Sequence, residues 1–191
     1  FVLSTLCSSK FVDQVIVNTD SPKIAKLVSS FDKVNVLDRP YDICGDTVSM
    51  NKIIENDLKH SNSNHFLQTH STNPLLSLES LNLAIKTYFE NLATYDSLFS
   101  VTKHQFRLYY SNGEPLNHSP KELLRTQDLE PLFEENSCLY LFSKDSFLNS
   151  GGKRIGVKPS MFELNKLEAI DIDNSDDFDL AKAVYSLNLN K

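Results

Sequence analysis

Short apolar runs that end in polar residues alternate along this chain with stretches whose apolar positions recur every three to four residues. The run "DQVIVNTD" (13–20) has strand character, and "SPKIAKLVSSF" (21–31) follows it with the Ser-Pro opening of a helix. "KVNVLDRP" (33–40) is a second short strand, and "VSMNKIIENDLKH" (48–60), after a turn at Gly45, a second helix. "HFLQTHSTNPLL" (65–76) runs from a buried strand into a polar loop. Leu81, Ala84, Ile85 and Tyr88 then mark the apolar face of a helix over 77–92. "DSLFSVTKH" (96–104) and "SCLYLFS" (137–143) read as strands, and 167–184 reads as a strand turning into a helix. Strands alternating with helices predict an α/β fold around a parallel or mixed sheet with right-handed crossovers.

The rhythm breaks between about 103 and 137, where "FRLYYSNGEPLNHSP" suggests a hairpin around Asn112-Gly113 and "KELLRTQDLEPLFEEN" is mostly polar. This segment is an excursion from the sheet. The opening "FVLSTLCSSKF" reads as the end of a helix already under way, with neither an initiator methionine nor a signal-peptide pattern. With 191 residues, 40% hydrophobic and 23% charged, the chain suits a single domain (1–191) with a real core. A net charge of −6 argues against general binding to nucleic acid or anionic membrane, so an anionic ligand must be met by a few chosen cations. No apolar run is long enough for a membrane helix. Cys7, Cys44 and Cys138 lack metal-ligand or C-x-x-C spacing, which points to a reduced, cytoplasmic setting. The five histidines form no ligand pattern.

The sharpest chemistry lies in "LEAIDIDNSDDFDLAKAV" (167–184). In a strand, Asp171 and Asp173 share one face, and two carboxylates so close repel unless a cation sits between them. One reading makes Asp173 or Asn174 the cap of the following helix; the other makes the pair a site for Mg²⁺, which takes one or two protein carboxylates and fills its remaining positions with phosphate and water. Ligands of open α/β sheets gather at the carboxyl ends of the strands. Here those ends carry Asn18-Thr19-Asp20, Asp38-Arg39, Gln68-Thr69 and Asp171-Ile172-Asp173.

Six segments in order, "VIVNTDSPKIAKLV", "LDRPYDICGDTVSMNKII", "FLQTHSTNPLLSLESLNLAI", "DSLFSVT", "RTQDLEPLFEENSCLYLFS" and "EAIDIDNSDDFDLA", resemble the acylneuraminate-type cytidylyltransferases, the synthetases of CMP-sialic acid and CMP-3-deoxy-octulosonate. The resemblance spans almost the whole chain. It implies a Rossmann-like nucleotide-sugar-transferase fold: a mixed, mostly parallel sheet with helices on both faces and a small β-rich arm at 103–137 that builds a homodimer. It also implies a reaction of CTP with an acidic keto-sugar, giving a CMP-sugar and pyrophosphate for surface-glycan synthesis. Asp171 and Asp173 match the acidic pair that holds Mg²⁺ and aligns the α-phosphate for in-line attack, Asp173 being the more direct contact. Arg39, Ser49 and Asp20 are assigned to the nucleotide. Gln68, Arg125 and Tyr140 are assigned to the sugar, Arg125 as a bidentate partner of its carboxylate.

Two departures stand out. The family's Arg-Arg-Gln region reads Arg125-Thr126-Gln127, which leaves Lys103, Lys121 or Arg107 as substitutes for one arginine. The Gly-rich basic loop that cradles the CTP phosphates has no counterpart here, so the chain is expected to lack a first strand and that loop. "SGGKR" (150–154) reads as a turn. A related transferase with another acceptor and a non-catalytic dimeric homologue are the competing readings.

Overall fold

The computed structural model describes residues 1–188. Six strands and six helices follow one another: α1 (Val2–Ser8), β1 (Val15–Thr19), α2 (Pro22–Val28), β2 (Val34–Asp38), α3 (Met50–Lys59), β3 (His65–Thr69), α4 (Leu78–Glu90), β4 (Ser97–His104), β5 (Leu132–Ser143), α5 (Lys144–Asn149), β6 (Pro159–Glu163) and α6 (Ser175–Asn188). The helix starts follow from their caps: Ser21, Ser49, Ser77 and Ser143 each accept a backbone N–H of the first turn, and Pro22 follows Ser21 where its missing N–H costs nothing.

The strands form two sheets. β1 and β2 pair in parallel, and the larger sheet has the order β3-β5-β4-β6. β5 runs antiparallel to both β3 and β4 while β4 and β6 are parallel, so three of its four strands point the same way. Both faces of the larger sheet are covered. Leu67, Leu98, Leu139 and Leu141 pack into one core with α1 and α4, and Phe66, Phe99, Tyr140 and Phe142 pack into another with Ile54 and Leu58 of α3 and Phe147 of α5. Strand side chains alternate between faces, so burial on both sides makes residues 138–142 of β5 a continuous apolar run.

Three elements differ from the sequence expectation. β5 begins at Leu132 because Leu132–Glu135 pair with His104–Val101, which confines the excursion to residues 105–131. β6 carries no signal in the sequence; it is a five-residue strand that opens on a proline, tolerated at a first position, and holds only the β4 side. Residues 167–173, expected as a strand, form a turn and an extended segment outside any ladder. Ile172 N–H reaches Thr72 O at 2.9 Å and the Asn73 side-chain amide takes Ile170 O at 3.4 Å, so a side chain replaces a ladder partner. The turn around Asn112-Gly113 is hairpin-like, with a bridge between Tyr109 and Pro115 and Gly113 at φ +84°.

Candidate functional site

The parallel pairing of β1 and β2 brings their carboxyl ends together. Arg39, just past β2, lays Nε and Nη2 on Asn18 at the end of β1, donating to its Oδ1 at 2.9 Å and its backbone O at 2.8 Å. Asn18 in turn donates to Asp57 of α3 at 2.5 Å. Burial pushes the Asp57 carboxyl up, against the pull of Asn18 and Arg39. Asp20 is exposed on the same rim. Ser49 is exposed too, and its oxygen accepts the Asn51 N–H at 3.3 Å as the cap of α3.

The β3–β5 register sets Gln68 directly opposite Tyr140, on the face covered by α3 and α5. Over this pair lies Arg154. Its guanidinium carbon is 3.6 Å from the centre of the Tyr140 ring, Nη1 donates to Gln68 Oε1 at 2.8 Å and to His70 Nε2 at 3.1 Å, and Nη2 donates to the Tyr140 hydroxyl at 2.9 Å. The Arg154 side chain is 18% exposed, so this cation is largely taken out of water. Glu135, its nearest carboxylate, stands 3.8 Å away and instead accepts a short hydrogen bond from the Tyr140 hydroxyl. Burial first, and then that bond to Glu135, push the Tyr140 hydroxyl up to about 12, so it stays a neutral donor.

Local structure explains how Arg154 arrives there. After α5, Gly151 and Gly152 adopt φ of +75° and +79° and reverse the chain, and Gly152 N–H closes the turn on Phe147 O at 2.8 Å. Ile155 then packs into the α3/α5 core, and the Arg154 N–H donates to Asn51 Oδ1 at 3.4 Å. α3 therefore links both polar groups, through Asn51 to Arg154 and through Asp57 to Asn18 and Arg39.

Asp171 and Asp173 do not cap α6. Asn174 does: its Oδ1 accepts from Asp176 N–H at 2.9 Å and Asp177 N–H at 3.2 Å, while the Asp177 carboxylate takes the N–H groups of Asp173 and Asn174. Asp171 is half-buried, with a buried Oδ1 that has no hydrogen-bond partner, whereas Asp173 is exposed. The Asp171 charge acts on His70 and Cys138: burial and then Arg154 hold the His70 pKa down against the pull of Asp171, and burial chiefly lifts the Cys138 thiol to about 12. An orphaned carboxylate oxygen is costly unless a cation or donor arrives, and Mg²⁺ fits that demand.

These residues sit on a scaffold whose relatives can be named. Residues 1–190 match the family described as cytidylyltransferase. The chain belongs to the cytidylyltransferase family. Among curated relatives, a pseudaminic acid cytidylyltransferase of Campylobacter jejuni is 22% identical over 98% of this chain and 84% of its own length. A post-translational flagellin modification protein B of Campylobacter coli is 20% identical over 92% and 78%. A solved CMP:2-keto-3-deoxy-manno-octonic acid synthetase, complexed with CTP, superposes with a TM-score of 0.66 at 10% identity, covering 98% of this chain and 86% of its own. A 4-diphosphocytidyl-2C-methyl-D-erythritol synthase reaches 0.69 at 13% identity, with 96% and 87% covered. The α/β fold is thus that of the nucleotidyltransferases.

Within this cytidylyltransferase, Gln68 and Tyr140 come together, Asp171 lies within electrostatic reach of His70 beside them, and Arg39, Asp20 and Ser49 surround β1, β2 and the start of α3. Tyr140 is fully buried, so it meets the site through Arg154 rather than through a surface of its own. Arg125 stands apart on the excursion, 72% exposed, with Nε and Nη2 closed on Asp128 at 2.7 and 3.0 Å. Sequence reasoning missed Arg154, His70 and Glu135. The only signal for Arg154 was "SGGKR", a basic residue behind two glycines that force a reversal.

Proposed function

We propose that this cytidylyltransferase joins CTP to an acidic keto-sugar of the sialic-acid class, with Mg²⁺, and that its product feeds surface-glycan synthesis. The observation that carries the reading is the orphaned Oδ1 of Asp171, whose charge acts on His70, itself a hydrogen-bond partner of the largely buried Arg154 that also holds Gln68. The curated relative of Campylobacter jejuni, named for pseudaminic acid, supports this acceptor class. In the reaction the anomeric oxygen bonds to the α-phosphorus, the bond to the β-phosphate oxygen breaks, pyrophosphate leaves, and the hydroxyl proton passes to solvent.

Asp171, with Asp173, would hold Mg²⁺; the ion supplies charge neutralisation on the triphosphate. Among the described residues no cluster of three acidic, histidine or cysteine side chains encloses a metal, so phosphate and water would complete the shell. Arg39, Asp20 and Ser49 form the nucleotide side and Gln68 the sugar side. Asn18 and Asp57 fix the Arg39 fork, so its free nitrogen Nη1 is what faces a ligand. The setting we assign is the cytoplasm, where all three cysteines stay reduced; they are free thiols here, and no described helix is long and apolar enough to cross a membrane. The excursion is our candidate homodimer contact.

Pyrophosphate release from CTP and a nine-carbon keto-acid sugar tests the reading. Asp171→Asn should cut the Mg²⁺-dependent rate about 100-fold or more, since the lost term is worth several kcal/mol. Full activity in that variant removes the metal role, and transfer only to a sugar phosphate or polyol phosphate replaces the acceptor.

A further inference from the structure

Arg154 leaves part of its guanidinium without a protein partner. Three of the five N–H groups of a guanidinium are committed here, both on Nη1 and one on Nη2. The uncommitted two belong to Nε and Nη2, the nitrogens on the side-on edge, which a planar carboxylate takes in two parallel hydrogen bonds. The chain has four arginines, Arg39, Arg107, Arg125 and Arg154. Arg39 spends that same edge on Asn18 and Arg125 spends it on Asp128. Arg107 is turned to the Leu124 carbonyl within the excursion.

The Arg154 side chain is also held in place and largely out of water. The ring and hydroxyl of Tyr140, with Gln68 and His70, hold the guanidinium, and Asn51 holds the backbone. The neutral state of His70, favoured by burial and by Arg154 itself, lets Nε2 accept rather than repel. A mostly buried cation favours a closely bonded carboxylate. Glu135 makes only a long ion pair with it: its oxygen is held by Tyr140 and stays 3.8 Å from Nη2.

We propose that Arg154 binds the carboxylate of the acid sugar and thereby selects acidic acceptors, taking the role that Arg125, closed on Asp128, does not fill. This rests on the acidic keto-sugar reading. A phosphate of CTP offers similar chemistry, and the test separates the two.

The full-length protein is assayed with the free acid sugar and with its carboxamide, and CTP binding is titrated separately. Wild type should prefer the acid by roughly 10–100-fold in kcat/KM, the range for a charge-assisted fork. Arg154→Lys, which keeps the charge and removes the fork, should raise KM for the acid, leave the amide nearly unaffected and leave CTP affinity unchanged. Equal loss for acid and amide, or a fall in CTP affinity instead, overturns the assignment while the transferase reading stands. Equal use of acid and amide by wild type overturns it without any variant. No transfer to either sugar defeats both the assignment and the acceptor class.

Discussion

Arg154 owes its position to neighbours that are themselves held neutral. Tyr140 stays a phenol because burial and Glu135 lift its pKa to about 12, and His70 stays an imidazole because burial and Arg154 lower its pKa. Both are therefore uncharged hydrogen-bonding partners of the guanidinium near neutral pH. The His70 shift has a direction in stability. With the folded value below the ordinary 6.5, the unfolded chain takes up a proton first as pH falls. His70 thus contributes fully above 6.5, and its contribution shrinks as pH drops from there toward the folded value. Urea denaturation at about pH 7.5 and about pH 5.5 should show a smaller loss of stability in His70→Gln than in wild type. An identical loss in both would show that His70 does not titrate differently in the two states. At this scale the sequence was partly legible. Gln68 and Asp171 stood at strand ends and could be singled out, but His70 and Glu135 acquire meaning only from what faces them.

Among the elements, the loop from α5 to β6 decides the site, and Asp96 holds it. The Asp96 carboxylate accepts from Val157 N–H at 2.8 Å and Lys158 N–H at 3.0 Å, while Gly156 N–H donates to Ser97 at 2.9 Å. Gly156 permits this approach: a Cβ there would stand 2.2 Å from Asp96 Oδ1. Gly156→Ala should therefore cost about 1–3 kcal/mol by overpacking and displace the loop that carries Arg154. Thermal melting together with KM for the acid sugar checks it: both should worsen while CTP affinity holds, and an unchanged melting temperature would show that the loop absorbs the methyl. β5 carries a second device. Its ladder with β4 shifts between Phe99 and Val101, Ser137 sits at φ +59°, and the buried Ser100 and Asn136 satisfy the interrupted backbone, Leu139 N–H reaching Ser100 at 3.0 Å and Cys138 N–H reaching Asn136 at 3.3 Å. This bulge lets Glu135 reach the Tyr140 hydroxyl, five residues further along the strand. Alternation and capping made α2, α3, α4, β1 to β5 and the hairpin turn readable. The bulge and β6 were not, because Ser and Asn in a buried strand look like breaks until their partners are known.

At the scale of the whole molecule, the excursion at 105–131 exposes Tyr109, Tyr110, Leu116, Leu123 and Leu124, with Leu123 at 87%. Apolar side chains held out on a projection favour burial against a second surface. We expect light scattering of the full-length protein to give twice the chain mass and Leu123→Asp to shift it toward the monomer; a wild-type monomer at micromolar concentration would remove the homodimer assignment. The α/β class, the order of most elements and the family membership were determined by the sequence itself, since caps, glycines and apolar period act locally and survive at low identity. Only the tertiary structure decided that Asn174 caps α6 and leaves Asp171 Oδ1 unpartnered, and that Arg39 and Arg125 spend Nε and Nη2 together on one neighbour while Arg154 leaves Nε unbonded. The reason is physical: a charge acquires its role from the dielectric and the partners around it, and those partners come from parts of the chain that meet only when β3, β5 and the turn after α5 pack together.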